Sequence, residues 1–170
     1  MKNVTVFIGN AFVAYAAIFL CACNGGDSNE KLSKENIALV EKYIQAVQNK
    51  DIKTMGEMLS DDYMGYGPAY GDSINKAGAM ENFKNVAENL YEKIVYTRSI
   101  NLAAKITDGP RPGNFVSNWA HLTITYKDGR GPINLYTNTG YRIENGKITM
   151  TRTIYDEADA IRQLNASSPE

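Results

Sequence analysis

Apolar positions change their spacing about midway along the chain. Early on they recur at helical spacing; from Ile94 onward they alternate or run together. Ile37, Val40, Ile44 and Val47 form one stripe, with Tyr43 beside it. Ser33 is placed to cap this helix, which is predicted to end near Asn49-Lys50. Asp51 caps a second, shorter helix carrying Ile52, Met55, Met58 and Leu59, and Asp61-Asp62 is read as its stop. Tyr63 to Gly67 reads as a short strand broken by Gly67-Pro68 and Gly71. Asn75 to Glu92 reads as a third helix whose buried face holds Ala79, Phe83, Val86, Ala87 and Leu90.

Four strands follow. Ile94 to Ala104 is rich in β-branched and aromatic residues, and Asp108 to Gly113 is a loop by composition. Val116 to Tyr126 alternates, with Trp119, His121, Thr123 and Thr125 on one face and Ala120, Leu122, Ile124 and Tyr126 on the other. Asp128-Gly129 marks a hairpin. Ile133 to Glu144 and Lys147 to Tyr155 are joined by Asn145-Gly146, the signature of a type I′ turn. From Glu157 one helical turn is expected, then a frayed tail over 165–170. The order predicts an α+β fold, a cone-shaped curved antiparallel sheet with three helices on its concave face. The inside of such a cone is a natural ligand cavity.

The N-terminus adds an address. Lys2 is a positive start, Val4 to Leu20 is apolar, and Leu20-Cys21-Ala22-Cys23 follows. This stretch resembles the lipobox of bacterial lipoproteins. The resemblance implies removal of residues 1–22, acylation of Cys23, a polar tether over 23–34, and a protein held on a bilayer of the bacterial cell envelope. An ordinary cleaved signal peptide and a retained anchor are the alternatives. Cys21 and Cys23 are the only cysteines, so the processed chain would hold no thiol for a disulfide, a thiolate metal site or a nucleophile.

Composition narrows the classes. Of 170 residues, about 130 remain for folding, one ordinary domain. A net charge of −1 without a basic run argues against a nucleic-acid surface. No glycine pattern resembles a phosphate or dinucleotide loop, so no cofactor is expected. One histidine and no retained thiol offer little to a zinc or iron site. Eleven tyrosines against five phenylalanines suit either strands or a half-wet pocket, because tyrosine joins an apolar body to a polar tip.

Tyr43-Ile44-Gln45-Ala46-Val47, Asp51-Ile52 and Met58-Leu59-Ser60-Asp61-Asp62 resemble the opening of the nuclear-transport-factor-2-like superfamily. Gly146-Lys147-Ile148 through Ile154-Tyr155-Asp156-Glu157 resembles the last hairpin of its SnoaL-like domains. The likeness spans about 120 residues and places the domain at 35–164. Ketosteroid isomerases belong to that superfamily. The resemblance puts their oxyanion-binding tyrosine at Tyr43 and their general base at Gly67, which cannot take a proton. Their second donor is an acid, and Ile133 to Ile143 contains no Asp or Glu. Steroid-type isomerisation is therefore not expected. The catalytic aspartate of SnoaL-like cyclases maps onto no definite position.

Three readings stand side by side. The first is a membrane-anchored module binding a small, mostly apolar or aromatic molecule. Tyr43, Tyr63, Tyr66, Trp119, Tyr136 and Tyr155 would line its cavity, together with Tyr141. The segment Gly65 to Asp72 and the loop Asp108 to Gly113 would border the entrance. The second is an acid/base enzyme, a lyase, isomerase or cyclase, with His121 and Asp156 as working pair. Asp156 serves equally well as a helix cap. The third is a structural domain of an envelope complex, dimerising through its sheet. The face of Trp119 and His121 is expected to point inward.

Overall fold

The structure is a computed structural model and describes residues 25–167. The expected signal segment 1–22, Cys23 and residues 168–170 lie outside the described residues. Helix α1 (Gly25–Gln48) starts well before Ser33, so Ser33 is inside it and not its cap, and most of the expected tether is helical. Its early turns carry Glu30–Lys34 and Lys31–Glu35 pairs at i,i+4 spacing, which favour helix without any apolar stripe. Further along, the predicted stripe faces the core: Val40, Tyr43 and Ile44 are buried, Ile37 and Val47 pack partly buried against them, and Ala46 joins the buried set. Helix α2 (Ile52–Met58) is capped by Asp51, whose carboxylate accepts from the Thr54 N–H at 3.0 Å.

Strand β1 (Leu59–Tyr66) begins directly after α2. Asp61 and Asp62 therefore lie within a strand and do not stop the helix. The two-residue strand β2 (Ile74–Asn75) leads into α3 (Lys76–Asn85), where the Asn75 side chain caps the Gly78 N–H. A π-helical turn over Val86–Leu90 ends this segment, so the third helix is shorter than its apolar spacing predicts. Phe83 is half-buried against the core, while Leu90 is exposed, contrary to expectation.

Strands β3 (Tyr91–Ile106), β4 (Gly113–Tyr126), β5 (Ile133–Glu144) and β6 (Lys147–Ile154) form an antiparallel meander. The sheet order is β2-β1-β6-β5-β4-β3. Because β1 runs parallel to β6, the sheet is mixed and not purely antiparallel. Bulges interrupt β3–β4 near Arg98, a non-glycine at φ 51°, and β5–β6 after Arg142. Such bulges increase local twist and curl a sheet.

Helix α1 packs on β3 and β4, and α3 on β1. Val40, Leu59, Val116, Ile143 and Ile148 are the innermost aliphatics of the resulting core. A second cluster, Ile124, Ile133 and Leu135, is covered by Ala160 and Leu164 of α4 (Glu157–Ala166). The tail is thus a full helix through Ala166. Its Gln163 amide bonds both the N–H and the C=O of Asn134, where β5 extends beyond the end of β6, and the Ser167 hydroxyl accepts from the Gly131 N–H.

Candidate functional site

The concave side of the sheet holds a cavity of about 430 Å³, framed by α1, α3, β1, β5 and β6. That size is within the range of small-molecule sites. Strand alternation explains its wall. Ala103, Val116, Tyr141, Thr151 and Gly65 are consecutive register partners across five strands, so their side chains share the inner face. Two residues away on the same strands, Thr139 and Thr153 add hydroxyls to the lining.

Four phenols converge here. Tyr43 from α1, Tyr63 from β1, Tyr96 from β3 and Tyr141 from β5 all line the cavity. Tyr43, Tyr63 and Tyr141 are buried, and the Tyr43 and Tyr141 rings meet edge to face at 6.1 Å. The Tyr63 hydroxyl is fixed by Thr151 Oγ1 at 2.6 Å. Gly65 makes this fit possible: a Cβ there would stand 2.7 Å from the Tyr63 oxygen. Burial holds the Tyr43 and Tyr141 phenols well above their ordinary pKa, reinforced by the neighbouring phenols, and pushes Tyr96 up to about 12. All four are therefore neutral hydrogen-bond donors at ordinary pH. The Tyr43 hydroxyl has no hydrogen-bond partner among the described residues.

Toward solvent, the segment Gly65, Tyr66, Gly67, Pro68 and Asp72 borders the opening, as expected, whereas the loop Asp108 to Gly113 does not. Tyr66 carries the Arg152 guanidinium 4.6 Å over its ring. Tyr155 is half-buried, its phenol raised by burial and then by the charges of Glu157 and Asp72. Among the described residues that line the cavity, Asp72 is the one ionised side chain.

The structure brings together Tyr43, Tyr63, Tyr66, Tyr141 and Tyr155 of the expected set and leaves Trp119, His121, Tyr136 and Asp156 elsewhere. Trp119 and His121 lie on the outer face of the sheet, a correction to the inward assignment. The inward face of β4 is instead that of Val116, Asn118, Ala120 and Ile124, all buried, while Trp119 is exposed. Tyr136 pairs with His121 across strands, their rings at 4.6 Å, and is itself exposed. Asp156 caps α4, accepting from the Asp159 N–H at 2.9 Å, and does not line the cavity. The outer row Ile100, Trp119, Asn138 and Ile154 is the surface that self-association through the sheet would use.

Sequence reasoning passed over Tyr96, Thr139, Thr151 and Thr153. Given Tyr155 and Tyr141 as inward residues, a period of two along each strand would have found the threonines. A wider and more open hollow of about 870 Å³ lies between α2, β1 and α3. Its charges already serve the fold: Lys76 binds Asp61 at 2.9 Å, and Lys147 donates to the Glu57 carbonyl.

Solved structures with this arrangement are numerous in kind. An LEH-like epoxide hydrolase of M. tuberculosis superposes with a TM-score of 0.58 at 18% identity, over 79% of this chain and 92% of the other. An NTF2-like protein of unknown function from Burkholderia pseudomallei gives 0.59 at 15% identity, over 76% and 97%. A protein of Shewanella putrefaciens described as a SnoaL-like polyketide cyclase gives 0.58 at 14%, over 78% and 97%. The chain has the nuclear-transport-factor-2-like fold. No protein-family model matches the sequence, and no curated protein does. In this nuclear-transport-factor-2-like domain the first-helix tyrosine, Tyr43, is in the cavity, and the Gly67 position presents no side chain to it.

Proposed function

We propose that the domain binds a flat, mostly apolar molecule bearing a carbonyl or hydroxyl group, held in the cone without turnover. The observation that carries this reading is the Tyr43 hydroxyl, which no group among the described residues pairs and which opens into a cavity walled by rings, methyl groups and a few hydroxyls. Water reaches this donor in the open cavity, so a ligand acceptor gains by replacing that water while its apolar body is buried. The absence of an acid at Gly67 supports binding over isomerisation. The catalytic pairing of His121 with Asp156 has no support, because neither residue lines the cavity.

Tyr43→Phe is expected to weaken binding of an aromatic ketone or phenol about two- to tenfold, since a hydrogen bond contributes about 0.5–1.5 kcal/mol. Titration calorimetry of both proteins against a panel of such compounds reads this directly. Undiminished binding by the variant, or a panel with no binder, would overturn the reading.

The same proposal places the domain on an envelope membrane through acylated Cys23, supported by the apolar run and the lipobox-like Leu20 to Cys23. Acyl chains on one cysteine, two or more together, hold a protein stably. Cys23→Ala is expected to move the protein from the membrane to the soluble fraction of a bacterial host. An unmodified Cys23 in the intact mass of native material would count against the anchor.

A further inference from the structure

We propose that Asp72 makes the cavity selective for organic cations: an aromatic or apolar body with an ammonium group at the mouth. The inference rests on the binding reading above and adds the charge that the ligand carries.

Asp72 is the one ionised group on the lining, and no Lys, Arg or His stands there with it. No ion pair or side-chain hydrogen bond uses its carboxylate among the described residues; only its backbone N–H is engaged, donating to the Ala69 carbonyl at 3.3 Å. The nearby Arg152 guanidinium is stacked on the Tyr66 ring. The exposed carboxylate sits at the opening, in the space beside Gly67. A Cβ at Gly67 would come within 2.9 Å of Asp72 Oδ2 and 3.1 Å of its Cβ, so the side chain of Asp72 fills the room that Gly67 leaves.

The surroundings extend the preference. Tyr66 and Tyr155 flank the mouth, and aromatic faces attract cations through their quadrupole. Arg152 over Tyr66 is such a contact already present in the molecule. An ammonium at the mouth would meet a carboxylate and ring faces. A ligand carboxylate would meet the Asp72 charge, and the nearest cation, Arg152, is stacked on the Tyr66 ring and does not itself line the cavity. The buried phenols further in are neutral and accept or donate hydrogen bonds, so they serve the polar atom of the ligand's body without setting its charge.

Three probes of one shape separate the terms: 2-naphthylmethylamine, 2-naphthalenemethanol and 2-naphthoate, titrated into the full chain near neutral pH at low salt. The amine is expected to bind about tenfold tighter than the alcohol and the acid about tenfold weaker, the scale of one partly screened charge pair. Asp72→Asn should bring the amine to within about twofold of the alcohol. Gly67→Ala should reduce the amine's advantage with Asp72 still present, because it displaces the carboxylate. Equal binding of amine and alcohol, preference for the acid, or an advantage that survives Asp72→Asn would overturn the charge selection and leave the binding reading standing. If none of the three probes binds, both fail together.

Discussion

Above about pH 10 the protein is expected to lose stability steeply, by roughly 5 kcal/mol per pH unit. The cause is the phenols of Tyr43, Tyr91, Tyr96 and Tyr141, which burial, whole or partial, keeps protonated in the folded chain because a phenolate there would lose much of its hydration. In the unfolded chain each ionises near its ordinary value of about 10. Between that value and the raised folded ones, the unfolded state has released protons that the folded state keeps, so rising pH favours unfolding. Each such tyrosine contributes about 1.4 kcal/mol per unit, and four together give the slope. Below about pH 10 both states are protonated and this contribution to stability is fully present. Urea melts followed by circular dichroism at several alkaline pH values give the slope, and phenolate absorbance should rise together with unfolding. Stability that stays flat to about pH 11.5 would mean that these phenols are not buried as described.

Ile148→Ala is expected to cost about 2–5 kcal/mol, a large part of the stability of a domain this size. Ile148 is fully buried, and its register partners are Leu59 on one side and Ile143 on the other. Removing its branches leaves a hole between strands that cannot close on one another, because hydrogen bonds fix their spacing. Ile154→Ala, on the outer face where the side chain is 55% exposed, should change stability by less than about 0.5 kcal/mol. Denaturant midpoints of both variants at constant slope test the pair. A small loss at position 148 would contradict the core assignment.

What the sequence revealed followed from local chemistry. Asn145 and Gly146 take φ of 51° and 70°, as the predicted turn requires, and β5 and β6 start and stop around it accordingly. Asp51 caps α2 because the bond from Thr54 is made within one turn. The misreadings arose where local pattern was silent or double. Val86, Ala87 and Leu90 keep helical spacing, yet the chain turns into β3 there, because the long pairing with β4 outweighs propensity. Strand alternation defined the two faces of β4 without saying which was inner. Val116, Ala120 and Ile124 are aliphatic and took the core, while Trp119 and His121, assigned inward for their chemistry, went outside. Asn118 complicates the pattern further, being buried but satisfied by Asn101 Oδ1 at 2.9 Å. At the site, Tyr43 was legible from its place on the first helix. Asp72 was visible only as the end of an entrance segment, since its role depends on the space beside Gly67.

The parallel pairing of β1 with β6 dictates when a ligand site can exist. Tyr63 and Thr151 bond across 88 residues, and Leu59 meets Ile148 across a similar length. The hairpins β3–β4, β4–β5 and β5–β6 can each form from neighbouring chain, whereas β1 must wait for β6 and close a long loop to reach it. On the ribosome, α1, α2 and β1 therefore emerge with no partner strand for β1 and without the Thr151 and Tyr155 wall. Pocket assembly is a late event of folding, tied to the last strand made, and a nascent chain stopped short of Ile154 lacks the wall that closes the cavity.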